Sequence, residues 1–305
     1  MHNVFLKLDK LCTLQQCFTD VPRYQFHRSG KLLISNNVRA SLQANVSKGS
    51  THPFVTKQPL SDGFKVTLSK EKTSYIYDHV LDKQHIVPGA IHAEIGLAVS
   101  KRHSTYPLTE TSIGLHFMKP IGVGQNLPVE LEVDVSTKNC TFDIRRKKQI
   151  ICKGRYFETK TSDLVNVNID EIKQVCPIHV SEKLFYDTLR DLGFEYGQML
   201  SVIGESWRSD SEYFAEMKVP NEVASEMQTM HLHPCILDGI LQTLSLLWIA
   251  TLEKYEKNAA DVSRPIPIKI GALTVRKPPQ KENVCLWKVD GVNRSTHLPE
   301  YSSAY

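Results

Sequence analysis

The sequence predicts an α+β chain built twice on one plan: in each half, antiparallel strands wrap a single buried helix. Three observations carry this. "GAIHAEIGLAV" from Gly89 is apolar nearly all round a helix, with Ile91, Ile95 and Val99 repeating at four, so it sits inside something. "HPCILDGILQTLSLLWIATLE" from His233 is a second apolar helix, with Ile236, Ile240, Leu244, Leu247 and Trp248 at three-four spacing. Segments with strict two-residue alternation flank both helices.

In chain order, the first fifty-odd residues are irregular and rich in Ser, Asn and Gly, and 1–52 reads as a linker or extended arm. Residues 53–158 form the first unit. "FKVTLS" puts Phe64, Val66 and Leu68 on one strand face, and the first helix follows. Then come "SIGLHFMKPI", "VELEVDV" and a hairpin, "TFDIRRKKQIICKGRYF", with a charged tip. Residues 159–178 carry little periodicity and read as a connection. Residues 179–305 form the second unit. Ser181 caps a helix with Leu184, Leu189 and Leu192 as its apolar positions, and Gly193 and Gly197 break it. "EYFAEMKV" is a strand, the second apolar helix follows, and "PIPIKIGALTV" and "NVCLWKV" supply two more strands. Two strands after the second helix against at least three after the first lead us to expect an incomplete second unit and a truncated chain.

Composition excludes several classes. A net charge of +4 over 305 residues is small, and "RRKK" at Arg145–Lys148 is a short solvated hairpin tip, so no nucleic-acid partner is expected. The seven cysteines form no C-x-x-C pair, which argues against a zinc ribbon or a disulfide framework and fits a reducing compartment. No apolar run reaches the roughly 20 residues of a membrane helix, and charges interrupt the N-terminal apolar stretch. The expectation is a cytoplasmic protein without a membrane span. His79, His85, His92 and Asp238 show no metal-ligand spacing, and there is no Gly-rich nucleotide loop, so neither a metal nor a bound cofactor is expected.

Two positions carry candidate chemistry. His79 ends an aromatic run just ahead of the first buried helix. Asp238 lies early in the second, with Gln242 on the same face four residues on. An aspartate among Ile236, Leu237, Ile240 and Leu241 either finds hydrogen-bond partners or stays protonated. A protonated carboxyl facing a neutral imidazole is an acid/base pair. Gln242 would orient the carboxyl group. The amides at Gly89 and Ala90 would face a carbonyl oxygen gaining negative charge, and Gly89 lets a substrate come close. These parts suit proton abstraction beside a thioester carbonyl with loss of a β-hydroxyl as water. Each residue also has a plainer reading: His79 as a structural donor, Asp238 as a cap or dipole partner.

These segments resemble the dehydratase domain of animal-type polyketide synthases and the related fatty acid synthase dehydratase. The motif H-x-x-x-G-x-x-x-x-P reads "HVLDKQHIVP" from His79 to Pro88, with Lys83 where the family has glycine. The motif D-x-x-x-Q/H within HP-x-x-L-D reads "HPCILDGILQ" from His233 to Gln242. L-G-x-x-Y-G-P reads "LGFEYGQ", with Gln198 for proline. "VPRYQFHR" at Val21–Arg28 looks like the segment leading out of an acyltransferase region, and "HPF" at His52–Phe54 like the start of the domain. The resemblance implies a double hot-dog fold, here with an incomplete second hot-dog. It implies elimination of water from a β-hydroxyacyl chain carried on the phosphopantetheine arm of an acyl carrier protein. It makes His79 the base and Asp238 the acid, with Gln242 holding Asp238 and Tyr196 holding the departing hydroxyl. Partners would be the acyl carrier protein and neighbouring synthase domains, and a homodimer is left open. Two other readings of the same fold are a product-template-like cyclase, against which Gln242 speaks, and a non-catalytic scaffold, for which Lys83 speaks.

Overall fold

The computed structural model describes residues 52–59, 61–124, 128–159, 169–209, 212–246, 266–277 and, for the backbone, 282–288. The expected arm at 1–52 lies outside these residues apart from His52. The first unit opens with β1 (Val55–Lys57) and β2 (Phe64–Leu68). A 3₁₀ turn at Ser74–Asp78 leads to the short strands β3 (His79–Leu81) and β4 (Gln84–His85). Helix α1 (Gly89–His103) follows, then β5 (Thr111–Phe117), β6 (Val129–Ser136), β7 (Thr141–Arg146) and β8 (Gln149–Glu158). The second unit runs α2 (Ile169–Val175), β9 (Ile178–Val180), α3 (Glu182–Asp191), β10 (Phe194–Tyr196), β11 (Ile203–Arg208) and β12 (Glu212–Lys218). It ends with α4 (Asn221–Glu226), α5 (Pro234–Gln242), β13 (Lys269–Thr274) and β14 (Glu282–Lys288).

The strands form three antiparallel sheets, ordered β1-β2-β6-β7-β8-β5-β13, β10-β3-β4 and β14-β12-β11-β9. The alternation in the sequence is the reason for the first. Phe64, Val66 and Leu68 of β2 pair with Val133, Leu131 and Val129 of β6, and all six face the core. Their apolar face wraps α1, which is buried on every side from Ala90 to Leu97. The fit is close because two glycines give way to one ring: Phe142 of β7 lies over Gly154, and a Cβ at Gly96 of α1 would come within 2.8 Å of it. Helices α1 and α5 pack against each other, joining the two halves.

Several expectations need correction. β13 does not complete the second unit's sheet. It extends the first, pairing with β5 from Lys269↔His116 to Thr274↔Ser112, because β5 would otherwise leave a bare edge beside the apolar Ile113 and Leu115. Among the described residues the second sheet has four strands against seven in the first. Helix α5 ends at Gln242, with a turn at Thr243 and Leu244 before the backbone is helical again at Ser245 and Leu246. There the bonds tighten to the 3₁₀ pattern, Leu244 N donating to Leu241 O and Leu246 N to Thr243 O. Residues 247–265, with Leu247 and Trp248 of the expected helix, lie outside the described part. In α3, Phe185 and Leu189 face the core while Leu184 is 47% exposed. The core face runs 185, 189, 192 at helical spacing, and Leu184 is one position off it. The connection at 159–178 contains α2, which sets Ile172 and Cys176 against Phe214.

Candidate active site

His79 begins β3, and its position depends on the hairpin it opens. The pair Leu81↔Gln84 leaves only Asp82 and Lys83 in the turn, at φ 51° and 64°. Two successive left-handed residues make the mirror-image turn that matches strand twist. Lys83 therefore bears the strain that a glycine would avoid, about 1 kcal/mol, without changing the turn. Lys83→Gly is expected to raise the unfolding free energy by about that amount in urea titration. An unchanged midpoint would mean the turn is not strained. The hairpin closes on His79 itself. Ile86 N donates to His79 O at 3.0 Å, and His79 Nδ1 lies 2.9 Å from Ile86 O. A carbonyl only accepts, so Nδ1 carries a proton, and in the neutral ring Nε2 is the nitrogen with the lone pair. This is the tautomer of a base.

Asp238 is placed by α5. His233 caps the helix, accepting from Cys235 N at 3.2 Å, and Pro234 occupies the first turn. Gly239 brings the helix tight against the chain entering β11: a Cβ there would stand 2.2 Å from Val202 Cγ2. Asp238 is 5% exposed and Gln242 3%. Gln242 Nε2 donates to Asp238 Oδ2 at 2.8 Å and to Leu200 O at 3.0 Å, while its Oε1 accepts from Tyr186 OH at 3.2 Å. Tyr186 OH in turn accepts from Ile203 N at 2.9 Å. The amide is thus pinned with its nitrogen toward the carboxyl group. Burial pushes the Asp238 pKa up, partly offset by the charge His79 can carry and by the Gln242 bond. Because Oδ2 accepts a hydrogen bond, a proton on this carboxyl group belongs on Oδ1.

Tyr196 joins the two. Strand β10 pairs with β3 so that Tyr196 stands opposite His79, and the two rings meet edge-on at 5.6 Å. Part of the Tyr196 side chain meets solvent, but burial of its hydroxyl, then the charge of Asp238, pushes its pKa well above the usual phenol value. The loop carrying it is anchored by Asp78, the residue before His79. Asp78 O accepts from Gly197 N at 2.8 Å, and its Oδ2 accepts from Met199 N at 2.9 Å. A Cβ at Gly197 would stand 2.3 Å from Asp78 Cγ, so only glycine allows this approach. Residues from opposite halves, His79 on one side and Tyr196, Asp238 and Gln242 on the other, therefore form one cluster.

Gly89 opens α1, and the amides of Gly89 and Ala90 are those a helix leaves without partners of its own. The space above Gly89 is taken by the Phe117 ring, 3.3 Å from where a Cβ would be, so a substrate reaching these amides passes beside that ring. His92, one turn on, meets the same ring edge-on, and burial lowers its pKa to about 4, so it is neutral. Sequence reasoning missed Asp78, Tyr186 and the Leu200 carbonyl. Asp78 had a signal, a carboxylate directly beside the candidate base. Tyr186 had none, because its reach to Gln242 depends on how α3 packs. Among the described residues no group of three or more His, Cys, Asp or Glu side chains could hold a metal ion. No helix among them is long and apolar enough to cross a membrane.

Residues 166–297 match the family described as "Polyketide synthase dehydratase N-terminal domain". The chain is 23% identical to erythronolide synthase EryA2 of Saccharopolyspora erythraea over 68% of its own length. It is 23% identical to polyketide synthase GfsE of Streptomyces halstedii over 81%. It spans only 6% and 7% of those synthases. Among solved structures it is similar to a trans-AT polyketide synthase dehydratase domain from Brevibacillus brevis, at TM-score 0.67 and 17% identity, covering 80% of this chain and 86% of that one. It is also similar to the dehydratase domain from the CurF module of curacin polyketide synthase, at TM-score 0.66 and 15% identity, covering 80% and 90%. The fold is the double hot-dog of those domains, and the second half of the chain, residues 166–297, is similar to the polyketide synthase dehydratase family.

Proposed function

We propose that this chain removes water from a β-hydroxyacyl thioester carried on the phosphopantetheine arm of an acyl carrier protein, giving the enoyl thioester. The observation that carries the reading is that His79 of one half, its Nδ1 spent on Ile86 O, meets Tyr196 of the other half beside a buried Asp238 carboxyl group biased toward its protonated form. His79 Nε2 takes the proton from the carbon next to the thioester carbonyl. The released electron pair forms the double bond to the β-carbon as the β-carbon–oxygen bond breaks. Asp238 Oδ1 gives its proton to the departing hydroxyl, which leaves as water. The Gly89 and Ala90 amides lower the energy of the charge growing on the carbonyl oxygen. Gln242 keeps Asp238 aimed, and the Tyr196 hydroxyl steadies the leaving oxygen. Lys83 does not by itself favour a scaffold, since the hairpin holds His79 with lysine in the turn.

Incubation with a β-hydroxyacyl pantetheine thioester, followed by mass spectrometry, tests this. The expected product is lighter by one water. Unchanged substrate, with a folded protein, overturns the reading. The rate is expected to fall at high pH as Asp238 loses its proton. Because burial raises its pKa, that limb lies above the ordinary carboxylate range. A limb at the value of a free aspartate would remove Asp238 as the acid.

A further inference from the structure

The mechanism leaves unused a second buried carboxylate, Glu94, whose side chain is 0% exposed in the middle of α1. Three donors converge on it. His231 N donates to Oε1 at 2.7 Å and Leu232 N to Oε2 at 2.8 Å. His52 Nδ1 accepts from Val55 N at 3.2 Å, so its Nε2 carries the proton and donates to Glu94 Oε1 at 2.9 Å. The two amides belong to the chain immediately before the His233 cap of α5. The first half therefore grips the second one residue short of the helix that holds Asp238. Helix α1 is itself placed by the chain from His79 through Pro88, with Ile86 and Val87 tied back by backbone bonds to His79 and Ile121.

We propose that Glu94 is a positioning residue: its carboxylate ties α1 to the start of α5 and so sets where Asp238 stands relative to His79. The chemistry of the side chain suits the task. An ionised carboxylate only accepts, and here each oxygen is aimed at a backbone N–H. Glutamine would turn an N–H₂ toward one of those donors, so the variant replaces an attraction by a clash at nearly constant volume. The misplacement reaches Asp238 because six residues of capped helix transmit it as a rigid piece.

This inference rests on the dehydratase reading, so the experiment has two arms. In the first, Glu94→Gln and Glu94→Asp are assayed in the 305-residue chain with a β-hydroxyacyl pantetheine thioester. The kcat is expected to fall about 10- to 100-fold in Glu94→Gln with KM within about threefold, and to recover in part in Glu94→Asp, which keeps the charge. In the second, crystal structures of wild type and Glu94→Gln are compared, with α5 expected to move by about 1 Å against α1. A folded Glu94→Gln protein with wild-type kcat, or with α5 unmoved, overturns the proposal. If Glu94→Gln does not fold, His52→Ala, which removes one donor and leaves both amides, decides in its place. A kcat lowered severalfold at constant KM supports the role, and an unchanged kcat overturns it. A wild-type protein that forms no enoyl product ends the dehydratase reading alone, and the displacement of α5 still decides whether Glu94 positions Asp238.

Discussion

Asp238→Asn is expected to slow water loss by about 10²- to 10⁴-fold while leaving KM within about threefold. Asparagine keeps the shape of the carboxyl group, and its Oδ1 still accepts from Gln242 Nε2. What it lacks is a proton it can give to a departing hydroxyl. The readout is kcat and KM with a β-hydroxyacyl thioester, and kcat within tenfold of wild type would dismiss Asp238 as the acid. His79→Phe is expected to cost a similar factor, since a ring of similar bulk facing Tyr196 survives while the Nε2 lone pair is lost. The double variant is expected to be little worse than either single one, because base and acid serve one concerted step. The same substitution has a signature in stability. With its pKa raised by burial, Asp238 binds a proton more tightly in the folded than in the unfolded chain. The wild type therefore loses stability as pH climbs from the ordinary carboxylate range through the folded value. Asp238→Asn removes that decline, so at neutral pH the variant is expected to be at least as stable as wild type.

Phe142→Ala is expected to destabilise the fold by about 3–5 kcal/mol, read from the denaturant midpoint. Phe142 is 2% exposed and fills the space over two bare stretches of backbone, at Gly154 and Gly96. Removing the ring leaves a cavity between the sheet and α1 that neither glycine can fill. A companion measurement makes the argument specific. Gly154→Ala in the wild type would set a Cβ 2.0 Å from Phe142 Cζ, so it forces the ring to move and is expected to destabilise. In the Phe142→Ala background that conflict is gone, and the same change is expected to be tolerated. Additive losses would show that the ring does not occupy this space.

The local features were legible. The all-round apolar pattern at Gly89–Val99 announced the buried helix α1, and the alternation at Phe64–Leu68 and Val129–Val135 announced two paired strands. The "RRKK" run is the tip of the β7–β8 hairpin, as charge and turn chemistry suggest. His79 stood out by its place before a turn, and Asp238 with Gln242 by their spacing on an apolar helix. Leu184 misled because apolar character was counted without phase; the helical period from Leu189 and Leu192 selects Phe185.

What the residues determined unaided was what short-range physics settles: two buried helices, their flanking strands, and which side chains could give or take a proton. Only the tertiary structure decided the rest, because it depends on pairings between residues far apart in the chain. Backbone hydrogen bonding is the same for any strand, so nothing in "PIPIKIGALTV" says that β13 joins β5 of the other half. Nothing in "LGFEYG" says that Tyr196 lies opposite His79, nor in α1 that Glu94 holds the amides leading into α5. Burial, which lifts the Asp238 pKa, is a property of the assembled halves, and neither helix has it by itself.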